Sequence, residues 1–186
     1  MNVYDFDKTI YTGDSTIDFW LFALRHRPSI IQFLPYQLKA AYLFRKKRIT
    51  KDEFKESFYV FFNGIPDIEK MTHSFWARHK TRFAKWYVNQ RNPDDVIITA
   101  SPEFLVKAGA SFLSIDNVIG TLIDPKTGKA LSKNCSGNEK LNRFREQYPS
   151  DSIDSFYSDS YSDIALARIA KQAFLVKHGA ITKWVL

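Results

Sequence analysis

The sequence predicts an α/β fold in which a parallel sheet is interrupted, after its first strand, by a long helical insertion. Three observations carry this. From residue 96 onward, short β-prone runs alternate with helical patterns. The run Val96-Ile97-Ile98 is continuous and β-branched, as in strands covered on both faces of a parallel sheet. Before it, from about Ser15 to Gln90, the chain is dense in Phe, Trp, Tyr, Leu, Lys and Arg, with Phe19, Phe22 and Ala23 at helical spacing.

Taken in order, Val3 to Phe6 is a short apolar run that ends in a polar cluster, so it reads as a strand, a loop and then a helix. The stretch from Ser15 to Gln90 predicts three or four helices, with breaks near Pro28, Pro35 and Asn63-Gly64 to Pro66. Asn92-Pro93-Asp94-Asp95 is a turn before the second strand, and Pro102 opens a helix through Leu105 and Ala108. Val118 to Ile123 predicts a third strand, and the turn Asp124 to Lys129 a local hairpin. Asn138 to Gln147 reads as a helix and Ile153 to Tyr157 as the fourth strand. A helix from Ser162 to Lys171, a fifth strand at Ala173 to Val176 and an edge strand at Ile181 to Val185 complete the pattern. No internal repeat is evident.

At 186 residues the chain suits one domain, or a core with a smaller insertion. Its 27 Lys and Arg against 20 Asp and Glu favour an anionic partner without choosing among nucleotide, nucleic acid, small phosphate and lipid headgroup. No base-reading or stacking motif supports nucleic acid, which is not expected as a partner. Cys135 is the only cysteine, so no intrachain disulfide forms and a reducing cytoplasm is the expected setting, with the thiol read as half-buried and inert. The first residues already read as a strand rather than an export signal, and the most apolar uncharged segment, Pro28 to Leu38, is far short of a spanning helix.

In parallel α/β sheets, ligands bind beyond the carboxyl ends of the strands. Asp5 and Asp7 sit two residues apart where the first strand ends. Transfer of a phosphoryl group to water needs a nucleophile, a proton donor for the leaving oxygen and cationic charge on the phosphoryl oxygens, and two carboxylates can supply the first two. Asp159 and Asp163 follow the fourth strand and bring hard oxygen ligands of the kind magnesium takes. Thr99, at the end of the second strand, offers a hydroxyl, and Lys140, near a helix start, a fixed charge.

Each residue also has a plainer reading. Asp5 and Asp7 can be solvated loop residues or helix caps, Asp163 a first-turn acid favoured by the helix dipole, and Thr99 an ordinary strand-end hydroxyl. Lys133 competes with Lys140, and Ser101 and Glu103 either touch the site or merely start a helix. His26, His73, His79 and His178 have no ligand spacing and are not expected to be catalytic. The basic run Arg45-Lys46-Lys47-Arg48 beside Phe33, Tyr36, Tyr42 and Phe44 is either a solvated face or a surface for anionic lipid.

Asp5-x-Asp7-x-Thr9, then Thr99, Lys140 and Asp159 with Asp163, in that order and across nearly the whole chain, resemble the motifs of the haloacid dehalogenase superfamily, in its phosphoserine-phosphatase-like branch. Any one of these motifs alone is weak; four at strand ends in sequence are specific. The resemblance implies a Rossmann-like three-layer core from residues 1–14 and 91–186, with residues 15–90 inserted as a helical cap that sets substrate choice. It implies Asp5 as nucleophile, Asp7 as acid and base, and Lys140 as the catalytic cation. Thr9, Thr99, Ser101 and Lys140 would bind the substrate phosphate, and Asp5, the Asp7 carbonyl, Asp159 and Asp163 would serve Mg2+. Asp7 argues for phosphate esters over haloacids, which have no leaving alcohol to protonate. Asp14 stands where phosphoserine phosphatases carry a substrate-reading Glu, a departure that turns the expectation from phosphoserine to another small phosphorylated metabolite. The expected activity is magnesium-dependent phosphomonoester hydrolysis. The alternatives are a lipid-phosphate phosphatase resembling phosphatidylglycerophosphatases at a membrane surface, and a non-catalytic phosphate-binding module.

Overall fold

The strands β1 (Asn2–Tyr4), β2 (Val96–Pro102), β3 (Val118–Thr121), β4 (Ile153–Ser158), β5 (Ala170–Lys177) and β6 (Ala180–Lys183) form one sheet in the order β3-β2-β1-β4-β5-β6. The computed structural model describes residues 1–185; residue 186, the last of the expected core segment, lies outside the described residues. β1 to β5 run parallel and β6 pairs antiparallel with β5. The chain winds outward from β1 to β3, then returns to the other side of β1 for β4, so the winding reverses at β1. The crevice at such a reversal is where α/β sheets hold ligands.

Side-chain alternation along the strands divides the core into two apolar layers. Val3, Val96 and Ile98 point to one side, with Phe144, Leu166 and Ala167 from the helices α7 (Asn138–Gln147) and α8 (Ile164–Ala167). Tyr4 and Ile97 point to the other, where the helical insertion and α6 (Glu103–Ser111) lie. The result is a Rossmann-like three-layer fold.

The insertion holds five helices, α1 (Ser15–His26), α2 (Leu34–Arg45), α3 (Lys51–Tyr59), α4 (Ile68–His79) and α5 (Lys85–Gln90), joined by 3-10 segments at Pro28–Phe33, Val60–Gly64 and Lys80–Arg82. That is more than the three or four expected. Pro35 does not break the chain but sits in the first turn of α2, where a missing N–H costs nothing. The break falls instead at Lys46 to Thr50, where Lys47 has φ 55° and Thr50 with Glu53 forms a reciprocal capping box that starts α3.

The predicted helix from Ser162 to Lys171 shrinks to a 3-10 turn, Tyr161–Asp163, and the four-residue α8. Its remaining residues are helix formers by propensity, but Ala170 pairs with Ile153 and Gln172 with Ser155, so strand pairing overrides local preference. The first strand stops at Tyr4 rather than Phe6, and Pro102 closes β2 instead of entering α6. Cys135 is fully buried, not half-buried, and burial pushes its thiol up to about 11, which leaves it inert. Among the described residues no helix is long and apolar enough to cross a membrane.

Candidate active site

β1 delivers Asp5 to the reversal point. The Asp5 amide donates to the Tyr157 carbonyl at 2.8 Å, extending the ladder with β4 by one residue and fixing the carboxylate at the sheet edge. The loop then coils tightly: the Thr9 and Tyr11 amides both donate to the Phe6 carbonyl, at 3.2 and 2.9 Å, and Lys8 takes a left-handed φ of 58°. This turn sets Asp7 against the start of α1 and the last residues of β2.

Lys140, in the first turn of α7 and 2% exposed, joins two elements to this edge. Its Nζ donates to Asp5 Oδ1 at 2.8 Å and to Asp163 Oδ2 at 2.7 Å, and Ser158 Oγ donates to the same Asp163 oxygen at 2.8 Å. Burial works against the lysine charge, but the Asp5 and Asp163 carboxylates outweigh it and hold Lys140 above its ordinary range. Asp5 is pushed up to about 7 by burial; Lys140 pulls it down, while Asp163 and, more weakly, Asp159 push it up.

Asp7 has different partners. Its Oδ1 accepts from the Ser15 amide at 2.6 Å and its Oδ2 from Ser101 Oγ at 2.5 Å. Loss of water and the nearby Asp14 raise it to about 6, against the Ser101 and Ser15 hydrogen bonds. Ser101 is held by Thr16 Oγ1, which donates to its hydroxyl at 3.1 Å, and by Thr99 Oγ1, which accepts its amide at 3.1 Å. Two buried hydroxyls, Thr9 Oγ1 and Ser15 Oγ, have no partner among the described residues. Buried polar atoms without partners are uncommon and suit a polar ligand that supplies them.

Hydrogen bonds therefore join these residues into two separate sets, Asp5 with Lys140 and Asp163, and Asp7 with Ser101 and Thr99. Asp159 and Thr9 line an adjacent cleft of about 710 Å³ with Lys8, Thr12 and His178. The competing assignments separate cleanly. Lys133 is exposed, and only its carbonyl is engaged, by Arg143 and the Ser132 hydroxyl. Glu103 accepts from the Gly120 amide at 2.9 Å and pairs with Lys107 at 2.7 Å, which makes it an anchor of α6 rather than part of the site. Asp14 caps α1, its Oδ1 accepting the Ile17 amide at 3.0 Å.

Sequence reasoning missed Lys55 and Ser158. Lys55 reaches from α3 of the insertion to donate to the Ala100 carbonyl at 2.7 Å and to Asn134 Oδ1 at 2.8 Å, beside the end of β2. Burial and the neighbouring Lys51 lower it to about 8, while Asp7 and Asp14 pull the other way. Thr50-x-x-Glu53 could have located the helix, but no local signal says what its second turn touches.

The sequence profile described as haloacid dehalogenase-like hydrolase matches residues 3–168. The chain belongs to the haloacid dehalogenase-like hydrolase family. As a haloacid dehalogenase-like hydrolase it shares its fold with solved proteins of low identity. One, a protein of unknown function from Bordetella pertussis Tohama I, is 14% identical with a TM-score of 0.75, over 93% of this chain and 87% of that one. A phosphoserine phosphohydrolase-like protein from Francisella tularensis subsp. tularensis SCHU S4 is 16% identical with a TM-score of 0.54, over 93% and 86%. A probable phosphoserine phosphatase from Vibrio cholerae is 12% identical with a TM-score of 0.59, over 92% of this chain and 55% of that one. No curated protein matches this haloacid dehalogenase-like hydrolase.

Proposed function

We propose that this hydrolase is a phosphatase that cleaves phosphate monoesters of small metabolites through an aspartyl-phosphate on Asp5. One observation carries the reading. Two carboxylates in one tight loop are held by opposite kinds of partner, Asp5 by the Lys140 ammonium and Asp7 by a hydroxyl and an amide. Titratable groups kept in different environments side by side take different roles.

In the proposed first step, an Asp5 carboxylate oxygen attacks phosphorus and the bond to the leaving oxygen breaks, while Asp7 gives that oxygen its proton. In the second, the Asp7 carboxylate takes a proton from water, the water oxygen bonds phosphorus, and the Asp5 carboxylate leaves. The sum is ester plus water to alcohol plus phosphate. A carboxyl raised to about 6 is matched to both duties near neutral pH. Lys140 neutralises charge at the nucleophile, and the unpartnered Thr9 hydroxyl, with Thr99, is suited to the phosphoryl oxygens.

The donor set fits magnesium by chemistry. Asp5 and Asp163 share Lys140 as their one bonded cation and Asp159 lies near enough to add its charge, so negative charge is in excess, and the donors are hard oxygens. Among the described residues no three His, Cys, Asp or Glu side chains form a metal cluster by themselves, so main-chain oxygen and water are needed as well. We assign Asp5, the Asp7 carbonyl and Asp159 as ligands, with Asp163 behind them; when bound, the ion would supply the positive charge that keeps Asp5 ionised and screens the phosphoryl oxygens. Residues 15–90 are proposed as the cap over this core of 1–14 and 91–186, a reading supported by Lys55 of α3 at the end of β2.

The test is turnover of p-nitrophenyl phosphate by the purified chain with Mg2+, with EDTA, and by Asp5→Asn. We expect hydrolysis with Mg2+, none with EDTA, and a loss of roughly a thousandfold or more in the variant. Unchanged turnover by the variant would refute the nucleophile assignment. Phosphate binding without turnover by the natural chain would instead favour a non-catalytic module. A second reading, a lipid-phosphate phosphatase, is favoured only by the outward face of α2; hydrolysis of a phosphorylated lipid but not of soluble esters would select it.

A further inference from the structure

The net charge of the chain is not spread over it. From residue 19 to residue 51 there are eight Lys or Arg and no Asp or Glu, while the other 19 basic residues face all 20 acidic ones. The whole positive excess therefore belongs to the end of α1, the 3-10 segment Pro28–Phe33, α2 and the turn after it.

The same segment turns apolar side chains outward. On α2, Pro35, Leu38 and Tyr42 are spaced by three and four residues, the interval that puts positions on one side of a helix. All three are exposed, Leu38 to 61% and Tyr42 to 58%, and Ile31 just before the helix to 55%. The opposite side of α2 is the packed one: Gln37 and Ala40 are buried, and Gln37 Nε2 donates to the Phe58 carbonyl at 2.8 Å. Lys39, Arg45 and Lys46 flank the outward stripe, and Lys46 Nζ lies 5.9 Å from the Tyr42 ring. The nearest acids in sequence are on α3. Asp52 is exposed in its first turn, Glu53 is tied to Thr50, and Glu53 and Glu56 line the groove between α2 and α3, which Lys39 borders from the α2 side.

A helix fixed by one side, with an aliphatic and aromatic stripe on the other and basic residues along its rim, exposes apolar and cationic groups together, the two kinds of group that anionic bilayers attract. We propose that this face of α2 docks on an anionic lipid bilayer, with Ile31, Leu38 and Tyr42 entering the headgroup boundary and Lys39 and Arg45 to Arg48 meeting lipid phosphates. Charge complementarity decides the occupant. A second copy of the chain would set the exposed basic run Arg45 to Arg48 against its own counterpart, whereas an anionic surface attracts it. The long Lys and Arg stems can lie along the bilayer edge with their charges in water. The inference is independent of the chemistry assigned to Asp5.

The experiment is flotation of the full chain with vesicles of phosphatidylcholine containing 30% phosphatidylglycerol, and with pure phosphatidylcholine, at low and high salt. The expected result is co-flotation with the anionic vesicles at low salt, weakened at least tenfold by high salt and absent with the neutral ones. Leu38→Ser with Tyr42→Ser, and separately Arg45→Gln with Lys46→Gln, Lys47→Gln and Arg48→Gln, should each reduce it at least tenfold while leaving p-nitrophenyl phosphate turnover, if present, and the circular dichroism spectrum unchanged. The proposal is overturned if the chain stays at the bottom with anionic vesicles. It is equally overturned if only the charge variant matters, which would indicate diffuse attraction, or if the apolar variant instead abolishes a dimer seen by sedimentation.

Discussion

At the scale of single residues, the site is a case of charge placed where charge is costly. Lys140 and Asp163 are each 2% exposed, and such groups persist only when paired and hydrogen-bonded. Lys55 is the less satisfied member: it meets two neutral oxygens, and its charge is opposed by burial, which lowers it to about 8. The sign of the consequence follows. Below pH 8 the lysine is charged in both the folded and unfolded chain and its burial cost is fully present. Between about 8 and its unfolded value of 10.5 the folded form sheds the proton first, so the cost is relieved as pH rises. The stability of the natural chain relative to Lys55→Met should therefore increase from pH 7 to pH 9.5, by a few kcal/mol at most, since one pKa unit corresponds to about 1.4 kcal/mol. Urea denaturation of both proteins at the two pH values measures this. A difference that does not change with pH would show that Lys55 is not held away from water.

Between elements, the turn from Asp124 to Lys129 does more than reverse the chain. Asp124 Oδ1 accepts the Lys126 amide at 2.9 Å and Oδ2 the Thr127 hydroxyl at 2.7 Å, and Asn63 Nδ2 reaches across to the Thr127 carbonyl at 3.1 Å. Gly128 lies against the end of α3 with φ 72°, and a Cβ there would sit 2.2 Å from the Tyr59 carbonyl oxygen. Gly179 has a similar φ of 84° but nothing within 4 Å of its would-be Cβ. Gly179→Ala should cost only the left-handed conformation, about 1 kcal/mol, whereas Gly128→Ala adds a backbone collision and should cost at least about 2 kcal/mol. Equal losses in thermal melts of the two variants would mean that the turn does not grip α3. The elements also show where sequence reading succeeds. Asn138 to Gln147 was legible to the residue because Gly137, with φ 57°, and the helical pattern after it agree. The helix expected at Ser162 to Lys171 was not, because Ala, Arg and Lys favour a helix while the partner strand that overrides them lies more than fifteen residues away.

For the whole molecule, the legible part of the site was the part tied to strand ends. Asp5 and Asp7 directly follow β1, and Thr99 and Ser101 lie in the last residues of the neighbouring β2, so strand order alone puts these residues at one edge of the sheet. Lys55 and Ser158 depend on how the insertion and β4 pack, which no local pattern encodes. That packing bears on how the molecule unfolds. One apolar cluster runs from Tyr4 and Ile97 on the sheet through Phe6, Trp76 and Phe75 to Phe19, Phe61, Phe62 and Ile30 in the insertion. Phe62 meets Phe104 of α6 at 5.2 Å, and Trp76 Nε1 donates to the Leu105 carbonyl at 2.7 Å. Residues 15–90 thus share their buried surface with α6 and the sheet instead of enclosing a core of their own. A segment that cannot bury its apolar face alone does not fold alone, so calorimetry should show one transition whose van't Hoff and calorimetric enthalpies agree. The isolated segment 15–90 should lack a cooperative melt. Hydrogen exchange should still be graded, fastest in the amides of α2, whose outer face is exposed and whose packed side rests mainly on α3, and slowest in β1 and β2. Two resolved transitions, the lower one confined to the insertion, would show that it unfolds as a unit independent of the sheet.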